Sequence, residues 1–219
     1  HPVENPFIQM NREITCLKLA QVPDSELENI DPENLEAYEA SLQILEKLGA
    51  KTRRVELPNN FEEMGSHVGQ IIGSEGFSYV GQFTDDPSQP VDDDVRPRIG
   101  LGKEISARDY LLLLRGQQHI KQAFLEALEG FDALITPSTL RPALRLSDID
   151  QTGTAASFTR PVNLIEHCAL SLPNGFSSKG LPYSLQIVCA PHQEALALQI
   201  GWAFQNQTKW HLQFPEGLN

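Results

Sequence analysis

No run of apolar residues in this chain approaches the roughly 18 needed to cross a bilayer as a helix, so nothing in it reads as a membrane span. Positive charge is scarce. Lys and Arg number 17 against 29 Asp and Glu, a formal net charge of −12. A chain that acidic repels phosphate backbones and anionic lipid, which argues against nucleic acid and membrane surfaces as partners. Cysteine is sparse too. Cys16, Cys168 and Cys189 are odd in number and unclustered, so they do not outline a disulfide framework. Their apolar surroundings suggest buried free thiols in a reducing compartment, and a cytoplasmic location is the expectation. HExxH, paired CxxC, GxGxxG and P-loop motifs are all missing, so neither a metal nor an organic cofactor is expected. Internal repeats and low-complexity segments are absent as well.

What is present fits one sizeable core, since 219 residues suffice for a single domain with extensions. His1–Arg12 lacks periodicity and reads as a disordered lead-in, residues 1–12. Ile14–Ala20 alternates apolar with polar, as a first strand would. Asp31 and Pro32 open a helix with an N-cap and a proline at its first position. Leu35, Tyr38, Leu42, Leu45 and Leu48 mark its buried stripe, and Gly49 ends it. Arg53–Leu57 follows as a strand, and strand–helix–strand of this length suits a parallel pair. Phe61–Phe83 reads as a second helix, with Gly65, Gly69 and Gly73 baring one face. Glycine at those positions costs helix stability, so close approach of another backbone or a channel wall is expected there. Asp85–Asp94 holds five aspartates and two prolines in a spacing that matches no calcium loop, and reads as solvated surface. Arg96 and Arg98 come next. Ser106–Glu129 is the longest helix, opened by a capping box of Ser106 and Asp109 and lined by Leu113, Ile120, Phe124 and Leu128. Pro191–Gln205 closes the regular part.

Between the last two helices lie three short apolar runs, Ala133–Ile135, Ala169–Leu172 and Tyr183–Cys189, each bounded by Gly, Pro, Asn or Ser. They are too short for helices and read as buried strands. The ordered strings D-A-L-I-T-P-S-T, T-R-P-V-N-L, A-L-S-L-P-N-G and G-L-P-Y-S-L-Q-I-V resemble the C-terminal part of the amidase signature family. Asp132, Thr136, Pro137, Asn163, Leu164, Pro173, Gly175, Gly180, Leu181, Pro182 and Gln186 carry that resemblance. Glu166 and Cys168 depart from it, standing where many members have Gly and Pro. The fold expected is α/β: three α/β/α layers around a mixed sheet, incomplete here, with residues 13–219 as the C-terminal portion of one domain.

The resemblance implies hydrolysis of a C–N amide bond through a serine acyl-enzyme, with the serine activated by a second serine and a lysine. Such chemistry needs a positioned, desolvated base and backbone N–H groups aimed at the developing oxyanion. No Gly/Ser-rich loop of that kind occurs in the chain. Ser177-Ser178-Lys179-Gly180 has the right residue types, but it joins two strands, where Ser, Lys and Gly are ordinary turn residues. His167 and Cys168 are neighbours on a strand and point to opposite faces, so they form no nucleophile–base pair. No catalytic residue and no metal ligand is therefore assigned. Arg98, Thr136, Ser138, Thr159 and Asn163 are the residues expected to shape or bind a small-molecule amide substrate. The catalytic half is expected elsewhere, on the same protein or on a partner subunit, because a sheet lacking half its strands would expose long unpaired edges. The non-Met start at His1 fits processing, a chosen boundary or a fragment alike. A homodimer is left open. The alternative is a non-catalytic module that docks on a separate catalytic subunit.

Overall fold

The computed structural model describes residues 5–150 and 155–214. Its centre is a five-stranded mixed sheet of β1 (Lys18–Gln21), β2 (Lys51–Arg54), β3 (Ala133–Pro137), β4 (Cys168–Phe176) and β5 (Pro182–Cys189), in the order β2-β1-β3-β5-β4. β1 runs parallel to both β2 and β3, whereas β5 is antiparallel to β3 and to β4. The described helices are α1 (Pro32–Lys47), α2 (Phe61–Asp85), α3 (Val95–Gly100), α4 (Ala107–Ala127), α5 (Arg160–Leu164) and α6 (Glu194–Gln207). This is the α/β architecture with a mixed sheet that the sequence suggested.

The first crossover follows from local chemistry. Asp31 caps α1 by accepting from the backbone N–H groups of Glu33 and Asn34, and Pro32 needs no partner at the first position. Gly49, at φ +92°, turns the chain back toward β2. Tyr38 is fully buried on the inner side of α1, and its hydroxyl donates to the carbonyl of Ile135 in β3. Asp132 joins β1 to β3 from outside the ladder: its carboxylate accepts from Lys18 N–H and its own N–H donates to the Lys18 carbonyl.

Strand alternation sorts the sheet into two faces. Leu170 and Leu172 lie on the face covered by α6, close to Gly201. Their partners across the β4–β5 ladder, Ile187 and Leu185, share that face, as do Ile135 and Pro137. The opposite face carries Thr136, Gln186 and Ser171, and the segment entering α5 lies against it. Helix α2 joins this second layer through Phe61, whose ring meets that of Phe158 edge-on at 5.8 Å. The core therefore sits on both sides of β3 and β5.

Several expectations need correction. The first strand is Lys18–Gln21 rather than Ile14–Ala20, because Cys16 takes φ +70° and the chain makes a tight turn, Leu17 N–H to Ile14 carbonyl, before entering the sheet. The second is Lys51–Arg54, a charged edge strand whose solvated side chains carry no apolar signal. Cys16 is exposed, not buried. β4 runs on through Pro173 to Phe176, with an irregularity between Pro173 and Gly175 that an edge strand tolerates. Within the expected lead-in, Pro6–Gln9 forms a 3-10 turn packed against α6, and residues 1–4 lie outside the described residues. Among the described residues, no helix is long and apolar enough to cross a membrane.

Candidate functional site

A row of polar side chains crosses the second face of the sheet. Thr136 is fully buried; its hydroxyl donates to the Pro137 carbonyl and accepts from Gln186 Nε2 at 2.9 Å. The same amide donates to the Phe158 carbonyl at 3.0 Å, so Gln186 clamps the loop leading into α5 onto the middle of the sheet. Ser138, at the end of β3, pairs with Ser171 on β4 at 2.7 Å between hydroxyl oxygens. Neither serine has a lysine as hydrogen-bond partner among the described residues. The pair is thus a polar contact between strands with no base to activate it.

Thr159 is half-buried at the N-cap of α5, Arg160 is half-buried, and Asn163 is exposed. Of these three, Arg160 lies against the glycine track of α2. A Cβ on Gly65 would lie 3.8 Å from Arg160 Cδ, and one on Gly69 would lie 3.6 Å from Arg160 Nη1. One turn further along, Gly73 meets backbone: the Arg98 carbonyl and the Gly102 N–H lie 3.5 and 3.6 Å from its Cβ position. The glycines thus admit an arginine side chain at one end and a second backbone at the other, as their spacing suggested. Arg98 is exposed, in the short helix α3.

The acidic segment is organised from its centre. Arg96 donates to the carbonyls of Phe83, Thr84, Asp86 and Gln89, so it grips the loop's backbone and not its carboxylates. Asp86 accepts from Ser88, which with Gln89 holds its carboxyl below the ordinary range, and Asp85 pairs with Lys103.

Ser177–Gly180 is the turn of the β4–β5 hairpin. Ser177 N–H donates to the Leu181 carbonyl, Gly180 takes φ +76°, and Lys179 is exposed. Ser178 N–H is held by the Glu33 carboxylate, while the Tyr183 hydroxyl donates to Asp31 at 2.8 Å. Burial and then Asp31 push that phenol up. Together these residues line a groove of about 580 Å³ with Pro142–Arg145. Lys179 stands exposed on this turn and is not desolvated, so the string has the residue types of a catalytic triad without its environment. At His167, Nδ1–H donates to the Ile165 carbonyl and the ring meets Phe124 edge-on, just before β4 begins. Cys168 Sγ instead faces the Ala190 carbonyl at 3.3 Å, and burial pushes its thiol up, which disfavours a nucleophilic thiolate.

Sequence reasoning pointed to Thr136, Ser138, Thr159 and Asn163; the fold puts Thr136 and Ser138 on one face of the sheet and brings the loop that leads into Thr159 against it through Phe158. It gave no role to Gln186, Ser171 or Arg160. A glutamine inside a largely apolar strand string, already named for the resemblance, was the available signal for Gln186. Ser171 and Arg160 gain their meaning only from partners distant in sequence.

Comparison with known proteins bears on the whole arrangement. The family model described as Amidase matches residues 3–198. Curated relatives include the glutamyl-tRNA(Gln) amidotransferase subunit of Geobacter metallireducens, 29% identical over 97% of this chain and 49% of its own length. The same subunit of Halorhodospira halophila is 30% identical over 99% of this chain and 50% of its own. Among solved structures, 6-aminohexanoate cyclic dimer hydrolase superposes with a TM-score of 0.82 at 18% identity, covering all of this chain and 51% of that one. A bacterial aryl acylamidase of the amidase signature family superposes at 0.79 with 14% identity, over 95% of this chain and 47% of that one. The chain spans about half the length of the curated relatives it matches. On the family match and the shared fold, this chain belongs to the amidase signature family.

Proposed function

We propose that this chain is the pocket-forming half of an enzyme that hydrolyses a C–N amide bond through a serine acyl-enzyme. The observation that carries the reading is a family match across residues 3–198 in a chain whose described serines have no lysine partner. The nucleophilic serine, its relay serine and the lysine come from the other half of the fold, on the same protein or a partner subunit. No metal or organic cofactor takes part. In this reading Arg98, Thr159 and Asn163 contact a small-molecule amide, while Thr136 and Ser138, both buried, hold the pocket's shape through Gln186 and Ser171.

The surface agrees with a missing neighbour. Leu111 and Leu112 on α4 are 53% and 45% exposed, and Ile72 on α2 is 53% exposed. Side chains of that size, left uncovered on helices of the layer that carries the pocket loop, suit contact with further protein. They equally suit the second reading, a non-catalytic module docked on a separate catalytic subunit.

Co-expression with the N-terminal half of a full-length relative tests the proposal. Amide hydrolysis sensitive to serine-directed inhibitors in the pair, and none in either half alone, is the expected result. A stable pair with no turnover of any simple amide supports the docking module. Turnover by this chain alone contradicts both.

A further inference from the structure

Among the described residues only two arginines are not exposed, Arg96 and Arg160. Arg96 donates to four carbonyl oxygens. The Arg160 guanidinium has no hydrogen bond and no ion pair among the described residues. Partial burial strips some water from a cation, so an unpaired guanidinium at this depth is open to an acceptor from outside the described residues. In a chain of net charge −12, carboxylates are plentiful, yet among the described residues none forms an ion pair with Arg160.

The side chain is also aimed. Its Cδ lies over Gly65 and its Nη1 over Gly69, so it runs along α2 toward Gly73, where the Arg98 backbone crosses. Successive glycines are about 6 Å apart along the helix, which puts the guanidinium between the Thr159–Asn163 segment and Arg98. Its backbone is fixed through the neighbouring Phe158 carbonyl, which Gln186 holds. Any side chain larger than a methyl at Gly65 or Gly69 would compete for the same space.

We propose that Arg160 binds a carboxylate on the substrate, making this half of the pocket selective for amides that carry a negatively charged group. The inference rests on the amidase reading. A planar guanidinium matches a carboxylate with two parallel hydrogen bonds, a geometry that lysine cannot supply. The overall negative charge works against more highly charged anions such as phosphate.

The test uses this chain assembled with its catalytic half. Succinate binding is measured by calorimetry, and hydrolysis of succinamate is compared with that of butyramide. Arg160→Leu is expected to weaken succinate binding by about 10- to 100-fold, the range for losing charge-assisted hydrogen bonds. The kcat/KM preference for succinamate over butyramide should fall by a similar factor, with partial recovery in Arg160→Lys. Unchanged binding and preference overturn the assignment, as does an equal loss on both amides, which would mean that Arg160 pairs with an acidic residue of the other half. Binding that depends on Arg160 without cleavage of either amide removes the amidase reading and leaves the carboxylate site standing. Should Arg160→Leu not fold, the wild type decides: succinate must bind at least about 10-fold tighter than neutral succinamide.

Discussion

A methyl group on Gly102 would overlap the carbonyl oxygen of Gly73 and come within 2.7 Å of Phe77 Cβ. The two glycines let the 3-10 turn Leu101–Glu104 lie directly on the backbone of α2. Neither backbone can give way without moving an element that positions Arg98.

Gly102→Ala is therefore expected to destabilise the protein by about 1–3 kcal/mol or more, the usual range for overpacking. Gly100→Ala is the matched comparison. A Cβ there meets nothing within 4 Å and the residue already has φ −57°, so its effect should stay within about 0.5 kcal/mol. Thermal unfolding of the two variants checks the contrast.

Gln186→Leu should cost about 1–3 kcal/mol, because it leaves the buried Phe158 carbonyl without its donor. Its wider effect falls on the pocket. Once unclamped, the segment from Phe158 to Leu164 should exchange amide hydrogens faster than β3 or β5. Uniform acceleration throughout the sheet would instead mark Gln186 as an ordinary core residue.

Stability should also fall on mild acidification, through His167. Burial lowers its pKa below the ordinary 6.5; the hydrogen bond to Ile165 works against that shift and Lys121 adds to it. The folded protein thus favours the neutral imidazole, while the unfolded chain takes up a proton as pH drops past 6.5. The contribution is complete above that value and is lost progressively below it, down to the lower folded pKa. Between about pH 7.5 and about pH 5.5 the unfolding midpoint should drop in the wild type and drop less in His167→Gln. Equal drops would assign the effect to other groups.

Legibility in the sequence followed how local each signal was. The start of α1 could be read because Asp31, Pro32 and the leucine spacing all act within a few residues. The capping box at Ser106 was equally readable: the serine donates to Asp109 and accepts from its N–H. β3 and β5 were legible as short apolar runs buried on both faces. β2 was legible in existence but not in bounds: it was expected at Arg53–Leu57 and lies at Lys51–Arg54, a charged edge with no apolar alternation to fix its ends. The short helices α3 and α5 were missed because five or six residues show no periodicity. For the candidate site, family strings pointed to Thr136, Ser138, Thr159 and Asn163. The Ser138–Ser171 pair and the lie of Arg160 along Gly65 and Gly69 depend on contacts between segments far apart in sequence.

Labelling with a fluorophosphonate, followed by peptide mapping of the adduct, tests the central claim most directly. The reagent is applied to this chain alone and to the chain assembled with its catalytic half. The account predicts no adduct on the isolated chain, and in the assembly a single modified serine outside these 219 residues. An adduct on Ser138, Ser171 or Ser178 would place the nucleophile in this half and contradict it.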